Sequence, residues 1–371
     1  RAAVRDQRAV ALARILVIYS TRVRKGDVCV IQSSTAAEPL VQAVYEEVLR
    51  AGGLPVIQLT TQEAGPAFYE LASDEQLDWV PPTAKWSVEE ADVRIAVMAD
   101  VNPRELSQAD PKKQARAQRA RKPLMETSMR RAAAGDYRWS LTLFPTHAFA
   151  AEAGMSLSAY EDFYYAACLA TDHDPVTAWR RHSDEVRRIT DWMQGREEVR
   201  VRAPGTDVTL AVSGRTWIAC VGEHNMPDGE LFTGPLEDSV DGEVAFSFPA
   251  TYGGREVSGV RFRFEGGRVV DASAEHGEEF LIEMLDSDEG ARRLGELGIG
   301  TNFGISTGTK EILLDEKIGG TVHMAVGMSY PETGGVNSSA VHWDMVCDLR
   351  RGGSITVDGV EVQRDGRFLI G

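Results

Sequence analysis

Residues 28–59, VCVIQSSTAAEPLVQAVYEEVLRAGGLPVIQL, have the pattern of a strand, a helix and a second strand in succession. The apolar run at residues 28–31 predicts a short buried strand. Apolar residues at helical spacing over residues 40–49 predict a helix, which a pair of glycines ends. Residues 56–59 and 93–98 predict two further strands. This β-α-β order indicates a parallel sheet flanked by helices.

The second half of the chain has a different pattern. Beyond residue 198, apolar and polar residues alternate with a period of two, as at residues 199–212 and 260–264. This period is typical of strands with one buried face. Glycine-rich turns separate the strands, and residues 275–285 and 288–294 are predicted to be helices. We therefore expect the second half to be β-rich with a few helices.

The chain length and the change of period together predict two domains. At about 100–200 residues per domain, a chain of 371 residues suggests two. An amphipathic helix over residues 183–193 ends at Gly195 and separates the two patterns. We predict an N-terminal α/β domain with a parallel sheet at residues 1–197. A β-rich α+β metal-binding domain is predicted at residues 198–371.

The composition excludes several classes of protein. The net charge is −16, and residues 199–371 carry 28 acidic but only 15 basic side chains, the opposite of a nucleic-acid binder. No apolar run approaches the ~18 residues of a membrane helix, and the N-terminal residues lack a signal-peptide core. Four distant cysteines without a CxxC pair argue against a disulfide scaffold. We expect a cytoplasmic protein with neither a membrane nor a nucleic-acid partner.

The densest group of metal-binding residue types lies in the acidic half. In VHWDMVC, residues 341–347, strand geometry sends His342 and Asp344 to one face and the apolar residues to the other. The imidazole and the carboxylate then project side by side, so both can reach one or two metal ions. A lone pair of this kind is more often part of an ordinary half-exposed strand.

Four further residues have metal-binding chemistry. His323 lies in a second alternating segment, GTVHMAVG, where a histidine is more often a core residue than a ligand. Glu230 stands between turn residues and an apolar pair in MPDGELFTGP, and Glu316 precedes the His323 segment. Glu296, in LGELGIG, is expected to end a helix, where a carboxylate opposes the helix dipole and the glycines leave room around it. Acids in such places are also common on ordinary surfaces.

Tyr330 lies seven residues after His323, in a loop shaped by Pro331 and two glycines. Its phenol can donate to a developing oxyanion, although a tyrosine before proline is more often a loop anchor. The sequence has no GxSxG motif, and its cysteines lie in apolar runs as packing residues do. A serine or cysteine nucleophile is therefore unsupported.

In their order along the chain, these segments resemble the family of thermophilic metal-dependent aminopeptidases that includes aminopeptidases T, S and II. The matching segments are ELFTGP at Glu230, LGEL at Glu296, DEK at Glu316, GTVH at His323, Tyr330, and HWD at His342 and Asp344. The resemblance covers nearly the full chain, but its specific motifs lie in the second half. Two departures are Gly234, where the family usually has alanine, and the spacing between Glu296 and His323, which leaves the role of Glu316 open.

The resemblance implies a two-metal aminopeptidase that acts on peptides with a free N-terminus and forms a homodimer. It implies that the metals are surrounded by Glu230, Glu296, Glu316, His323, His342 and Asp344. One carboxylate would bridge the metals and Tyr330 would lie beside them. We expect Glu296 to be the bridge, since it stands between glycines and midway along the ligand series.

The chemistry of these residues leaves three kinds of protein to distinguish. Four carboxylates and two histidines suit Zn²⁺, Co²⁺ or Mn²⁺ and are too many for one ion. Two ions ~3.5–4 Å apart lower the pKa of a bridging water and polarise the scissile carbonyl, and one can bind the substrate amine. A mononuclear iron ring-cleaving dioxygenase on the same fold is the alternative enzyme, with histidine expected in place of Glu296. A non-catalytic binding module would be expected to have lost several ligands.

Overall fold

The computed structural model describes residues 6–370, which form two compact units. The first unit runs through Arg180 and includes Gly222–Pro227, and the second consists of Arg181–Val221 and the chain from Asp228 onward. The domain boundary expected after residue 197 stays a prediction. Among the described residues, every helix is too short or too polar to cross a bilayer.

Helices are concentrated in the first half of the chain. They are α1 (Gln7–Arg14), α2 (Glu38–Arg50), α3 (Ala64–Leu71), α4 (Asp74–Asp78), α5 (Pro82–Glu89), α6 (Pro111–Ala133), α7 (His147–Glu152), α8 (Leu157–Ala167), α9 (Pro175–Met193), α10 (Glu278–Leu285) and α11 (Ile312–Asp315). A π-helical turn at Ile15–Ser20 continues α1, and short 3₁₀ helices lie at Thr35–Ala37 and Pro331–Thr333.

Strands dominate the second half of the chain. In chain order they are β1 (Val28–Ser34), β2 (Leu54–Thr60), β3 (Val93–Met98), β4 (Arg138–Leu143), β5 (Glu198–Ala203), β6 (Thr206–Ala211), β7 (Ile218–Cys220), β8 (Asn225–Met226), β9 (Glu230–Thr233), β10 (Asp241–Ala245), β11 (Ala250–Tyr252), β12 (Arg255–Val257), β13 (Arg261–Glu265), β14 (Arg268–Ser273), β15 (Leu294–Gly300), β16 (Thr321–Gly327), β17 (His342–Asp348), β18 (Ser354–Val357), β19 (Val360–Arg364) and β20 (Arg367–Phe368).

The first unit contains a five-stranded parallel sheet in the order β2-β1-β3-β4-β8. The apolar centre of β1 is fully buried at Cys29, Val30 and Ile31, as a central strand covered on both faces requires. The expected parallel sheet is therefore confirmed. Strand β8 has only two residues, which is too few for a periodic pattern in the sequence to predict it.

The second unit contains two antiparallel sheets in addition to the small hairpin of β11 and β12. An eight-stranded sheet has the order β14-β13-β10-β6-β5-β18-β19-β20, and a five-stranded sheet has the order β17-β16-β15-β9-β7. One apolar core takes side chains from both sheets, among them Val201 and Phe262 from the first and Leu297, Met324 and Trp343 from the second. Strands β9, β15, β16 and β17 of the five-stranded sheet thus each have one apolar face, and the other face is free to carry polar groups.

Two expectations for residues 288–300 are wrong. Residues 288–293 form turns rather than a helix, and Glu296 lies inside strand β15 rather than at a helix end. The glycines of LGELGIG suggested a helix stop, but here they allow close approach within a sheet. A Cβ built at Gly295 would overlap the carbonyl oxygens of Gly327 and Met328.

A β-bulge at Gly295 sets the direction of Glu296. Leu294 pairs with Val326 and Glu296 with the adjacent Ala325, so Gly295 is an extra residue in β15. Regular alternation would place Leu294 and Glu296 on the same face. The extra residue instead sends Leu294 into the apolar core and Glu296 to the opposite face.

Candidate metal centre

The five-stranded sheet brings five of the predicted site residues to one face. Strand β9 supplies Glu230, β15 supplies Glu296, β16 supplies His323, and β17 supplies His342 and Asp344. The register places Glu296 beside Ala325, which in turn lies beside Asp344. The alternation predicted for residues 341–347 agrees with this arrangement, since Trp343, Met345 and Cys347 pack in the core.

Gly298 creates the space for the His323 imidazole. The two residues are paired across β15 and β16. A Cβ built at Gly298 would overlap the imidazole ring, so the ring occupies the volume that any other residue at Gly298 would need. His323 is completely buried. The absence of a side chain in one strand therefore positions a histidine of the next.

The Glu296 carboxylate lies between the two histidines. Its Oε1 is 3.0 Å from Nε2 of His323, and its Oε2 is 3.5 Å from Nε2 of His342. His323 Nε2 is also 3.3 Å from Oε2 of Glu230, and His342 Nε2 is 3.4 Å from Oδ2 of Asp344. The two oxygens of Glu296 thus face different histidines, which is the arrangement that a carboxylate shared between two ions would need.

The cluster continues beyond Glu230 through residues that follow helix α11. Glu316 caps the C-terminus of α11, and Lys317 is completely buried. Lys317 Nζ contacts Glu316 and lies 3.5 Å from Glu230 Oε1 and 4.0 Å from Asp228 Oδ1. The structure therefore brings Glu316 to the other predicted residues. The sequence pattern did not indicate a role for Lys317 or Asp228, although both lie within two residues of a predicted ligand.

The donor atoms of this cluster fit divalent metal ions. Ligand atoms of Glu230, Glu316 and His323 lie within 4.8 Å of one another, and so do those of Glu296, His323 and Asp344. Two buried carboxylate oxygens, Glu230 Oε2 and Asp344 Oδ1, make no hydrogen bond. Buried polar atoms of this kind cost free energy unless a cation or a donor satisfies them. A metal ion at each group would satisfy them.

The orientation of His342 also suits a metal ligand. Its Nδ1 lies 2.8 Å from the carbonyl oxygen of Met328, a contact in which the ring N–H donates. This hydrogen bond directs Nε2 toward Glu296 and Asp344, where it can bind a metal ion once it has lost its proton. Metal-binding histidines ordinarily have such a partner on the second nitrogen, since it fixes both the tautomer and the ring plane.

Electrostatics at the cluster show a shortage of positive charge. Burial raises the pKa of Glu230 to about 8 and also raises the pKa of Glu296. Burial alone would lower the pKa of both histidines, but the neighbouring carboxylates raise it to about 10 for His323 and about 9 for His342. Protons thus collect on the cluster when no metal is bound. A divalent ion would displace them, because it needs neutral imidazole and ionised carboxylate as ligands.

Tyr330 lies beside His342, at one end of the cluster. Its ring packs edge-to-face against His342 at a centroid distance of 4.9 Å and against Phe232 at 5.7 Å. Tyr330 is 37% exposed, so one side of the residue faces solvent. Burial and the nearby carboxylates raise the pKa of Tyr330 above its usual range, which keeps the phenol protonated and able to donate.

A buried cluster of carboxylates and histidines on one face of an antiparallel sheet, in a chain that also contains a parallel α/β unit, is typical of a metal-dependent enzyme. The chain belongs to the thermophilic metalloprotease family M29, whose model matches residues 5–368. The resemblance drawn from the ligand motifs is therefore confirmed.

Named relatives and solved structures match almost the whole chain. Aminopeptidase 2 of Geobacillus stearothermophilus is 28% identical, over 96% of this chain and 94% of its own. Aminopeptidase T of Thermus thermophilus is also 28% identical, over 97% and 98%. Wild-type AmpT from Thermus thermophilus superposes with a TM-score of 0.84 at 25% identity, covering 98% of this chain and 99% of its own.

A second solved structure shares the fold alone. The 2,5-dihydroxypyridine dioxygenase of Pseudomonas putida KT2440 superposes with a TM-score of 0.61 at 14% identity, covering 97% of this chain and 96% of its own. The scaffold therefore carries more than one chemistry, and the residues at the site decide between them.

Proposed function

We propose that this chain is a metal-dependent aminopeptidase that uses two divalent ions, Zn²⁺, Co²⁺ or Mn²⁺, to remove the N-terminal residue of peptides. Membership of a metalloprotease family and the names of the aligned aminopeptidases support the hydrolase. The observation that carries the two-ion proposal is the position of Glu296, whose two oxygens face different histidines.

The ligands divide into two halves around Glu296. His342 and Asp344 would hold one ion, and Glu230 and Glu316 the other, with Glu296 shared by both. His323 lies between Glu296 and Glu230 and would complete either half. When bound, the ions supply Lewis acidity toward the scissile carbonyl and lower the pKa of a water molecule toward neutrality.

Residues of the chain itself account for substrate choice and proton control. The carboxylates and histidines would hold an ion that can bind a free α-amine, so a peptide with a free N-terminus suits the site. The catalytic role proposed for Glu296 is to hold the two ions together beside the attacking water, which requires its carboxylate to be ionised. The neutral phenol of Tyr330 is placed to donate to the developing oxyanion.

The dioxygenase alternative is disfavoured by the number of acids. A mononuclear iron site of that type uses two histidines and one carboxylate. Here Glu230, Glu296, Glu316 and Asp344 all lie close to His323, and Glu296 and Asp344 also lie close to His342. An acid stands at Glu296, where the alternative expects histidine. A homodimer remains a prediction that follows from the resemblance, and a cytoplasmic location remains one that follows from the scattered cysteines.

A release assay with metal-stripped protein tests this function. Aminoacyl-arylamides should be hydrolysed only after Zn²⁺, Co²⁺ or Mn²⁺ is restored, and N-acetylated arylamides should stay intact, because the free amine is required. Metal analysis should find about two ions per chain. One iron per chain would indicate the dioxygenase, no metal would indicate a binding module, and equal cleavage of blocked substrates would exclude an aminopeptidase.

A further inference from the structure

Lys317 is a completely buried cation inside a site that is proposed to bind cations. Buried lysines are rare unless they are paired. Lys317 contacts Glu316, and its Nζ lies 3.5 Å from Glu230 and 4.0 Å from Asp228. An ammonium group thus occupies the position between three carboxylates that a metal ion would otherwise favour.

The charges of the cluster balance only when Lys317 is counted. The buried or half-buried acids of the site are Asp228, Glu230, Glu296, Glu316 and Asp344. Two divalent ions supply four positive charges against these five carboxylates. Lys317 supplies the fifth, so the loaded site is neutral with neutral histidines. A buried cluster strongly favours neutrality, because an uncompensated charge in the interior is costly.

Lys317 acts on the two halves of the cluster unequally. Its ion pairs are with residues of the Glu230–Glu316 half, where it is a fixed neighbour of both carboxylates. In the other half, the charged partners of Glu296 and Asp344 are the two histidines, which become neutral when they bind metal. Only the Glu230–Glu316 half therefore keeps a positive charge beside an incoming ion.

We propose that Lys317 is a built-in cation that makes the two metal positions unequal: the Glu230–Glu316 half holds its ion weakly and exchangeably, and the His342–Asp344 half holds its ion tightly. The inference rests on the two-metal function proposed above. The ammonium repels a divalent ion and occupies carboxylate oxygens that the ion needs. The ion pairs of Lys317 with Glu230 and Glu316 also hold these two carboxylates together when no metal is bound, which stabilises the metal-free protein.

Titration calorimetry of the metal-free protein with Zn²⁺ tests this asymmetry. Wild-type protein should show two classes of site. In Lys317→Met the weaker dissociation constant should fall about tenfold or more, since a unit charge a few ångströms away is removed, and the tighter one should change little. The metal-free variant should also melt at a lower temperature. Lys310→Met is the matched control, because Lys310 is exposed and pairs with Glu256 on the surface, and both dissociation constants should keep their wild-type values.

A pair of ligand variants tests the assignment of each class without changing Lys317. Glu316→Gln should weaken only the weaker class of Zn²⁺ site, and His342→Ala only the tighter class. Unchanged or weaker Zn²⁺ binding in Lys317→Met, or the reverse assignment in the ligand variants, would overturn the inference. Fewer than two Zn²⁺ ions bound by the wild-type protein would instead contradict the proposed two-metal function itself. If Lys317→Met does not fold, the two ligand variants decide the question alone.

Discussion

Adding one methyl group at Gly298 should displace His323 from the metal centre. A Cβ at Gly298 would overlap the imidazole, and His323 is completely buried in the middle of β16. Neither Gly298 nor His323 can shift to make room for the added carbon unless the strands of the sheet move apart. In Gly298→Ala the ring should therefore leave its position, and its contacts with Glu230 and Glu296 should be lost.

The structure allows the size of this effect to be worked out. Forcing one carbon into a packed interior costs about 1–3 kcal/mol, which for a unit of this size lowers Tm by about 2–4 °C per kcal/mol. Weakening even a supporting contact of a metal ligand costs about 10–100-fold in metal affinity or activity. Because Gly298→Ala displaces a proposed ligand outright, turnover should fall by at least the upper end of that range, about 100-fold.

Thermal melts, metal analysis and arylamide kinetics measure the three consequences of Gly298→Ala. Gly65→Ala in α3 is the control, because its added carbon meets only the ends of flexible side chains, Glu105 Oε1 at 3.3 Å and Leu106 Cδ2 at 3.6 Å. The double variant Gly298→Ala/His323→Ala removes the ring and should recover stability relative to Gly298→Ala without recovering turnover. Wild-type metal content and turnover in Gly298→Ala would refute the role assigned to this glycine.

Four further outcomes are expected. Glu296→Gln should abolish turnover and lower the metal content, since an amide cannot bridge two cations as a carboxylate does; normal activity with two bound ions would contradict this. Tyr330→Phe should lower kcat by about 10²–10³ with KM and metal content nearly unchanged, and near-normal turnover would show that Tyr330 only anchors its loop. Tyr164→Phe should cost about 1–3 kcal/mol in urea unfolding, because the hydroxyl accepts from the Leu143 N–H and donates to the Met226 carbonyl; an unchanged midpoint would contradict it. Burial lowers the pKa of His182 to about 4, so the stability that the neutral imidazole contributes is present above pH 6.5 and is lost as the pH falls toward 4. In His182→Gln the fall in unfolding free energy between pH 7 and pH 4.5 should therefore be smaller than in the wild type by about 2–3 kcal/mol. An identical pH profile of the two proteins would refute this role.

The parts of the fold with a strong periodic pattern could be predicted from the sequence. The alternation at residues 341–347 correctly separated His342 and Asp344 from the apolar face, because a period of two has only one interpretation in a half-buried strand. The β-α-β order at residues 28–59 likewise led to the parallel sheet. Both predictions rest on local spacing, which the final packing preserves.

The segment around Glu296 could not be predicted in the same way. LGELGIG has the composition of a helix stop, and its function as a strand depends on three close approaches by distant residues. Gly298 meets His323, Gly295 meets the Gly327 and Met328 carbonyls, and Gly300 meets the Ile318 carbonyl. A single sequence does not contain these distances. The burial of Lys317 could not be predicted for a related reason. Nothing in the neighbouring sequence, DEK, distinguishes this lysine from one on the surface.

The extra residue at Gly295 shows where this strand can change its length. A three-base deletion that removes its codon leaves the reading frame and every proposed ligand intact. Leu294 and Glu296 then become neighbours in a regular strand, which still places them on opposite faces of the sheet. A three-base deletion of the Leu297 codon instead makes Glu296 and Gly298 neighbours and so sends one of them to the apolar face. The position of a lost codon, more than the loss itself, thus decides whether the gene still encodes the proposed metal centre.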